Sequence, residues 1–99
     1  MKISDLYTVI LPDGSMRTDT RENLRKKYPE REPSPVLSVR HYSGCGFDFW
    51  SVDFDSASLG MTVKHFDSRE DAERFLDETS ELTIDEFRNK YIISPYNYL

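Results

Sequence analysis

The sequence predicts an α+β fold, in which an antiparallel sheet of three to four strands carries two to three short helices, mainly on one face. Three observations support this fold class. Several segments are rich in β-branched and aromatic residues and are separated by Gly, Pro and Ser. Other segments combine an N-capping residue with apolar residues at helical spacing. A chain of 99 residues can form one hydrophobic core but not two, so we expect a single domain over residues 1–99.

The N-terminal part of the chain is predicted to form a strand and a short helix. The strand covers Leu6–Leu11, and the turn sequence Pro-Asp-Gly-Ser follows it. Asp19 is a candidate N-cap with Glu22 three residues further on, and the helix ends at Pro29 because proline cannot continue it. The segment 29–35 contains three prolines and otherwise only polar residues, so we expect an exposed, extended linker.

A three-stranded antiparallel meander is predicted after this linker. Its strands cover Val36–Tyr42, Phe47–Phe54 and Leu59–Phe66. Residues 43–46, which include two glycines, form the first connection, and residues 55–58 form the second. We expect the N-terminal strand to join this meander.

Two further helices are predicted in the C-terminal third of the chain. The first covers Ser68–Thr79, and its apolar stripe consists of Ala72, Phe75 and Leu76. A capping box at Thr83 and Glu86 begins the second. One face of this helix is apolar and consists of Ile84, Phe87 and Tyr91. Beyond it, Ile92 and Ile93 are expected to pack back onto the domain.

Composition indicates the cellular compartment, and charged residues are distributed unevenly along the chain. The sequence has neither an apolar run long enough to span a membrane nor a secretory signal pattern, and its single cysteine, Cys45, suits a reducing cytoplasm. The net charge is −5. Residues 1–42 hold eight basic and six acidic residues, a net charge of +2, whereas residues 43–99 hold five and twelve, a net charge of −7. The two parts therefore present different electric fields to a partner.

No pattern indicates catalysis or a cofactor. His41, Cys45 and His65 could form a nucleophilic site, but nothing around Cys45 matches a nucleophile signature. A structural zinc site needs four ligands, and the chain has only these three His and Cys residues. The aspartates near the middle strand lack the spacing of a calcium loop and are expected to be solvated: Asp48, Asp53 and Asp55. We therefore expect no enzyme activity, metal or cofactor, and rank a small Cys/His enzyme third among functions.

Direct nucleic-acid binding is the second hypothesis. Basic residues cluster around the first helix: Arg17, Arg21, Arg25, Lys26, Lys27 and Arg31. Such a face could contact phosphates. However, acidic residues interrupt the cluster and the whole chain is acidic, which is unusual for a DNA-binding domain of this size.

The leading hypothesis is an acidic and aromatic protein-binding surface. On the middle strand, Trp50, Val52 and Phe54 can fill the core while Phe47 and Phe49 emerge, or the opposite register can hold. Exposed aromatic residues next to charges are typical of binding hot spots. The predicted partner-binding residues lie on this strand and on the helix after the meander: Phe47, Asp48, Phe49, Trp50, Asp53, Asp55, Glu70, Glu73 and Asp77.

A small acidic chain without catalytic signatures resembles the inhibitors that phages and mobile elements make, among them anti-CRISPR and anti-restriction proteins. Because catalytic, metal and cofactor patterns are missing, the hypothesis is a non-enzymatic stoichiometric inhibitor or adaptor whose partner is another protein, and proteins with a basic nucleic-acid-binding groove are among the candidate partners. An uncovered sheet edge would also allow homodimerisation.

Overall fold

A computed structural model describes residues 1–57 and 59–91 and confirms the α+β class. After a short 3-10 helix, Ile3–Asp5, this part of the chain forms six strands and three helices. The strands are β1 (Leu6–Ile10), β2 (Met16–Thr20), β3 (Ser34–Pro35), β4 (Leu37–Gly44), β5 (Phe47–Asp55) and β6 (Gly60–Phe66). The helices are α1 (Arg21–Lys27), α2 (Arg69–Ser80) and α3 (Ile84–Tyr91). The expectation for Ile92 and Ile93 concerns residues outside the described ranges.

The predicted meander is confirmed as a sheet with the order β4-β5-β6. Its first connection is a two-residue turn, because Gly44 pairs with Phe47. Gly46 occupies the left-handed region of this turn with φ of 86°, a conformation that suits glycine. The pairing of β5 with β6 shifts by one residue between Val52 and Asp53, which marks a β-bulge.

The N-terminal strand β1 was expected to join the meander, but it belongs to a separate sheet. This sheet has the order β2-β1-β3. Strand β2 was not predicted, because its alternation lacks large apolar residues apart from Met16. Strand β3 lies inside the predicted linker, where Ser34 and Pro35 are exposed and extended as expected but pair with β1; the expectation of exposure was wrong for Pro33, which is buried.

Val36 lies where the two sheets meet. Its N–H donates to the Leu6 carbonyl at 3.3 Å, and its own carbonyl accepts from the N–H of Asp55 at 2.8 Å. One continuous segment, residues 34–44, therefore pairs with β1 on one edge and with β5 on the other. Proline at positions 33 and 35 limits the pairing with β1, because proline donates no backbone hydrogen bond.

The helices cover the two sheets separately. Helix α1 packs on β1 and β2 through buried Leu24. Helix α2 packs on the meander, where the main core joins side chains from β4, β5, α2 and α3: Leu37, Val52, Phe54, Ala72 and Phe87. Phe75 is half-buried between Phe66 and Tyr91.

The predicted starts of α1 and α2 are found, but the N-cap of α1 is shifted by one residue. Thr20, and not Asp19, caps α1 by accepting from the N–H of Asn23. Ser68 caps α2 by accepting from the N–H of Asp71. None of the helices in the described part of the chain is long and apolar enough to cross a membrane.

Candidate protein-binding face

The regular alternation along β5 divides the predicted site residues between the two faces of the meander. Trp50, Val52 and Phe54 point toward the helices, so the first of the two predicted registers is confirmed. Phe47 and Phe49 lie on the opposite face, together with Asp53. We call this opposite side of β4, β5 and β6 the open face. No helix among the described residues packs on it.

An aromatic row occupies the end of the open face near the β4–β5 turn. The Tyr42 and Phe49 rings stack across the two strands, with centroids 5.0 Å apart. The edge of His65 meets Phe49 at 5.0 Å, and Phe47 lies 5.8 Å from the same ring. Phe47 is 52% exposed and lies over Gly44, where an added Cβ would be 3.2 Å from its ring. The row therefore ends at Phe47, whose ring is exposed on its outer side and lies over Gly44 on its inner side.

Asp53 lies near the middle of the open face and is only 5% exposed, so the expectation that it is solvated was wrong. Its Oδ1 accepts from the hydroxyls of Ser51 at 2.9 Å and Thr62 at 3.0 Å. Its Oδ2 lies 3.2 Å from Arg40 Nε and 3.5 Å from the Tyr42 hydroxyl. Long side chains on the neighbouring strands shield the carboxylate from water, which sequence alternation alone does not reveal.

Arg40 is held at this position but stays accessible. Its side chain is 59% exposed although its Nε contacts the buried carboxylate. A side-chain hydrogen bond with Tyr42 and the charge of Asp53 raise the pKa of the Arg40 guanidinium above its ordinary value. Arg40 is therefore a permanent cation at the centre of the face.

A groove continues the open face onto the first sheet, and we include the lining of this groove in the open face. It has a volume of about 710 Å³, and its lining includes Ile10, Met16, Pro35, Ser38, Arg40 and Asp55. The Ile10 side chain is 59% exposed, and Ile10 pairs with Met16 across β1 and β2. Apolar side chains therefore lie at both ends of one continuous surface, with Arg40 and Asp53 between them.

The remaining predicted residues lie on the helix side of the sheet. Trp50 is half-buried; it stacks on His41 at 4.1 Å and has the Arg69 guanidinium 5.7 Å above its ring. Asp48 bonds to His41 Nε2 at 2.5 Å. Three exposed α2 residues complete the set: Glu70, Glu73 and Asp77. The nine predicted residues thus belong to two surfaces on opposite sides of the meander.

Four contributors to the open face were not predicted: Ile10, Arg40, Tyr42 and His65. Tyr42 could have been found, because a two-residue turn at Cys45 and Gly46 places it opposite Phe49. His65 and Arg40 flank Ser51 in the register of three strands, which no local pattern specifies.

Three of the six basic residues clustered around α1 are paired with acids. Arg21 and Arg25 both contact Glu32 Oε1, at 3.4 and 3.0 Å. Lys26 pairs with Glu22 at 3.3 Å. The Arg25 and Arg21 hydrogen bonds lower the pKa of Glu32, which keeps this acid charged. Fewer cations are therefore free to meet phosphates than the sequence suggests.

The structure does not bring the candidate nucleophile residues together. His41 lies on the helix side of the sheet and His65 on the open face, while Cys45 is exposed in the turn. Within residues 1–57 and 59–91, no group of three or more His, Cys, Asp or Glu side chains is placed to hold a metal ion.

The chain is thus an α+β protein with two antiparallel sheets, an aromatic open face and a groove at their junction. Comparison with models of protein families, with characterised proteins and with solved structures found no match. The chemistry of the open face is therefore the basis on which a function can be assigned.

Proposed function

We propose that this protein is a non-enzymatic binding module that contacts another protein through the open face and acts by stoichiometric inhibition or as an adaptor. One observation supports this above all. Of the three exposed large hydrophobic side chains among the described residues, two, Ile10 and Phe47, lie at the two ends of this single face. Grouped apolar side chains around Arg and Tyr are typical of interface hot spots.

The charge of the meander half favours a basic partner. Residues 37–81, which include the meander and α2, contain four basic and ten acidic residues, a net charge of −6. Such a field speeds the approach of a positively charged protein and repels nucleic acid. A partner with a basic nucleic-acid-binding groove fits this charge, and anti-CRISPR and anti-restriction inhibitors, to which this small acidic chain is similar in composition, often occlude such grooves.

Truncation at the ends of the open face tests the proposal. A partner captured by the wild-type protein should bind Phe47→Ala about 30-fold more weakly, mainly through a faster off-rate, because an anchor contributes about 2 kcal/mol or more. Ile10→Ser should weaken the same complex.

The matched control changes the other side of the meander. Glu70→Gln with Asp77→Asn leaves the open face intact and should keep the off-rate within about twofold, as expected for residues outside the contact. If Phe47→Ala and Ile10→Ser both bind as the wild type does, the open face is not the contact surface.

A further inference from the structure

The buried Asp53 carboxylate serves two different sets of partners. Oδ1 accepts hydrogen bonds from Ser51 and Thr62, which lie on β5 and β6 within the same sheet. Oδ2 faces Arg40 Nε at 3.2 Å and the Tyr42 hydroxyl at 3.5 Å, both on β4. In the first set Ser51 is buried and Thr62 is exposed, and in the second set Arg40 is exposed and Tyr42 is half-buried.

Stability alone does not account for a carboxylate at this position. Removing a charge from water is costly, and the attraction to an exposed arginine seldom compensates for it. An apolar residue in the middle of β5 would avoid that cost. Conformational specificity, such as fixing one arrangement of neighbouring groups, is a documented reason to keep a buried polar group in some proteins.

Arg40 and Tyr42 gain fixed positions from this contact. A free arginine samples many rotamers and loses that freedom on binding, which weakens association. The contact through Nε uses one of the five N–H donors of the guanidinium, so donors remain for an oxygen acceptor on a partner. Tyr42 is held at both ends, by Asp53 at its hydroxyl and by Phe49 across its ring.

We infer that Asp53 is a positioning residue of the open face, which orders Arg40 and Tyr42 before a partner arrives. The inference rests on the proposed binding function. It assigns Asp53 no direct contact with the partner, because the carboxylate is buried beneath the side chains that it orders.

Two variants separate positioning from a structural role. In Asp53→Asn, the amide oxygen can still accept from Ser51 and Thr62, while the amide N–H group replaces the acceptor that faces Arg40. Thr62→Val is the matched control, because it removes a bond to Oδ1 and leaves Oδ2 unchanged. Both variants lose a hydrogen bond of the same network, and only the first removes the carboxylate oxygen that holds Arg40 Nε.

The first measurement needs no partner. Hydrogen exchange at arginine Nε, followed by NMR, should be about tenfold slower at Arg40 than at exposed Arg88, since a hydrogen bond to a charged group gives protection of this order. Asp53→Asn should abolish this protection and Thr62→Val should preserve it. Protection that persists in Asp53→Asn, or is absent from the wild type, would overturn the inference.

The second measurement uses the partner that binds wild type and loses affinity with Phe47→Ala. Asp53→Asn and Arg40→Ala should each weaken that complex about tenfold, and the double variant should bind no more weakly than Arg40→Ala, because the two residues act as one unit. Thr62→Val should bind as wild type. Weakening by Phe47→Ala without weakening by Asp53→Asn refutes the positioning role and retains the binding function. Slow exchange at Arg40 together with wild-type binding by both Phe47→Ala and Ile10→Ser retains the Asp53–Arg40 contact but refutes the open face as the binding surface, and with it the positioning role.

Discussion

The Thr8 hydroxyl donates a hydrogen bond to the carbonyl oxygen of Asp55 at 3.1 Å and so joins β1 of the first sheet to the end of β5 in the second. Thr18 lies beside it, with the two hydroxyl oxygens 3.1 Å apart, and accepts from the N–H of Ala57 at 2.7 Å. Two neighbouring threonines on the first sheet therefore hold the connection between β5 and β6 in the second sheet. Thr8 and Asp55 both line the groove, so this contact lies in the wall of the groove.

Thr8→Val should lower the free energy of unfolding by about 1–2 kcal/mol, because it removes a hydroxyl that is bonded in a buried position and leaves the Asp55 carbonyl unpaired. Urea denaturation at pH 7 measures the loss. A variant as stable as the wild type would show that this hydrogen bond does not contribute to the junction.

Phe87→Ala should lower the free energy of unfolding by about 3–5 kcal/mol, because its fully buried ring packs 4.9 Å from Phe54 and leaves a cavity when removed. Phe75→Ala should cost less, since Phe75 is only half-buried. Phe47→Ala is the control and should cost less than about 1 kcal/mol, as an exposed substitution does. Equal losses for Phe87→Ala and Phe47→Ala would contradict the assigned core.

Glu86→Gln should reduce stability more at pH 7 than at pH 3. The Thr83 N–H donates to Glu86 Oε1 at 2.9 Å, and the hydrogen bonds from the backbone and side chain of Thr83 lower the pKa of this carboxyl in the folded protein. A lowered pKa stabilises the fold above the unfolded pKa of about 4.3, and the contribution is lost as the pH falls through the folded value. Denaturation of both proteins at the two pH values measures it, and a pH-independent difference would exclude a role of the charge.

Exposed carboxylates should control how fast the proposed partner binds. Neutralising Asp48, Glu70 and Asp77 should slow association and flatten its dependence on salt, because fewer charges attract the partner. Charge reversal of Arg21, Arg25 and Lys26 should leave binding intact. Stopped-flow association rates at several salt concentrations test both, and loss of binding only in the basic-helix variant would favour nucleic-acid recognition.

Cys45→Ser should leave the binding of the proposed partner within about twofold of wild type, as expected for a turn residue without an assigned chemical role. Metal analysis of the purified protein should find no stoichiometric zinc. Bound zinc, or a folded Cys45→Ser protein that no longer binds the partner, would favour the Cys/His enzyme hypothesis again.

Local patterns predicted the meander and the main helices, because alternation and capping act within a few residues, but they left two registers of β5 open. Separate sheets could not be predicted in this way, since the pairing of β1 with Ser34 and Pro35 depends on residues far apart in the chain. The burial of Asp53 depends on side chains from both neighbouring strands. For the same reason the sequence joined the α2 acids and Phe47 into one surface, whereas the sheet separates them.

Val36 forms backbone hydrogen bonds with both sheets, and this has a consequence for splitting the protein into two fragments. A break at residues 29–31 would give one fragment with β1, β2 and α1 and another with the meander and α2. The first fragment also carries Ile3, which is buried in the main core, and the second carries β3, the partner of β1. Neither fragment should fold alone. Mixed together, the two should reassemble, so that co-expressed halves would report on the integrity of the junction through complementation.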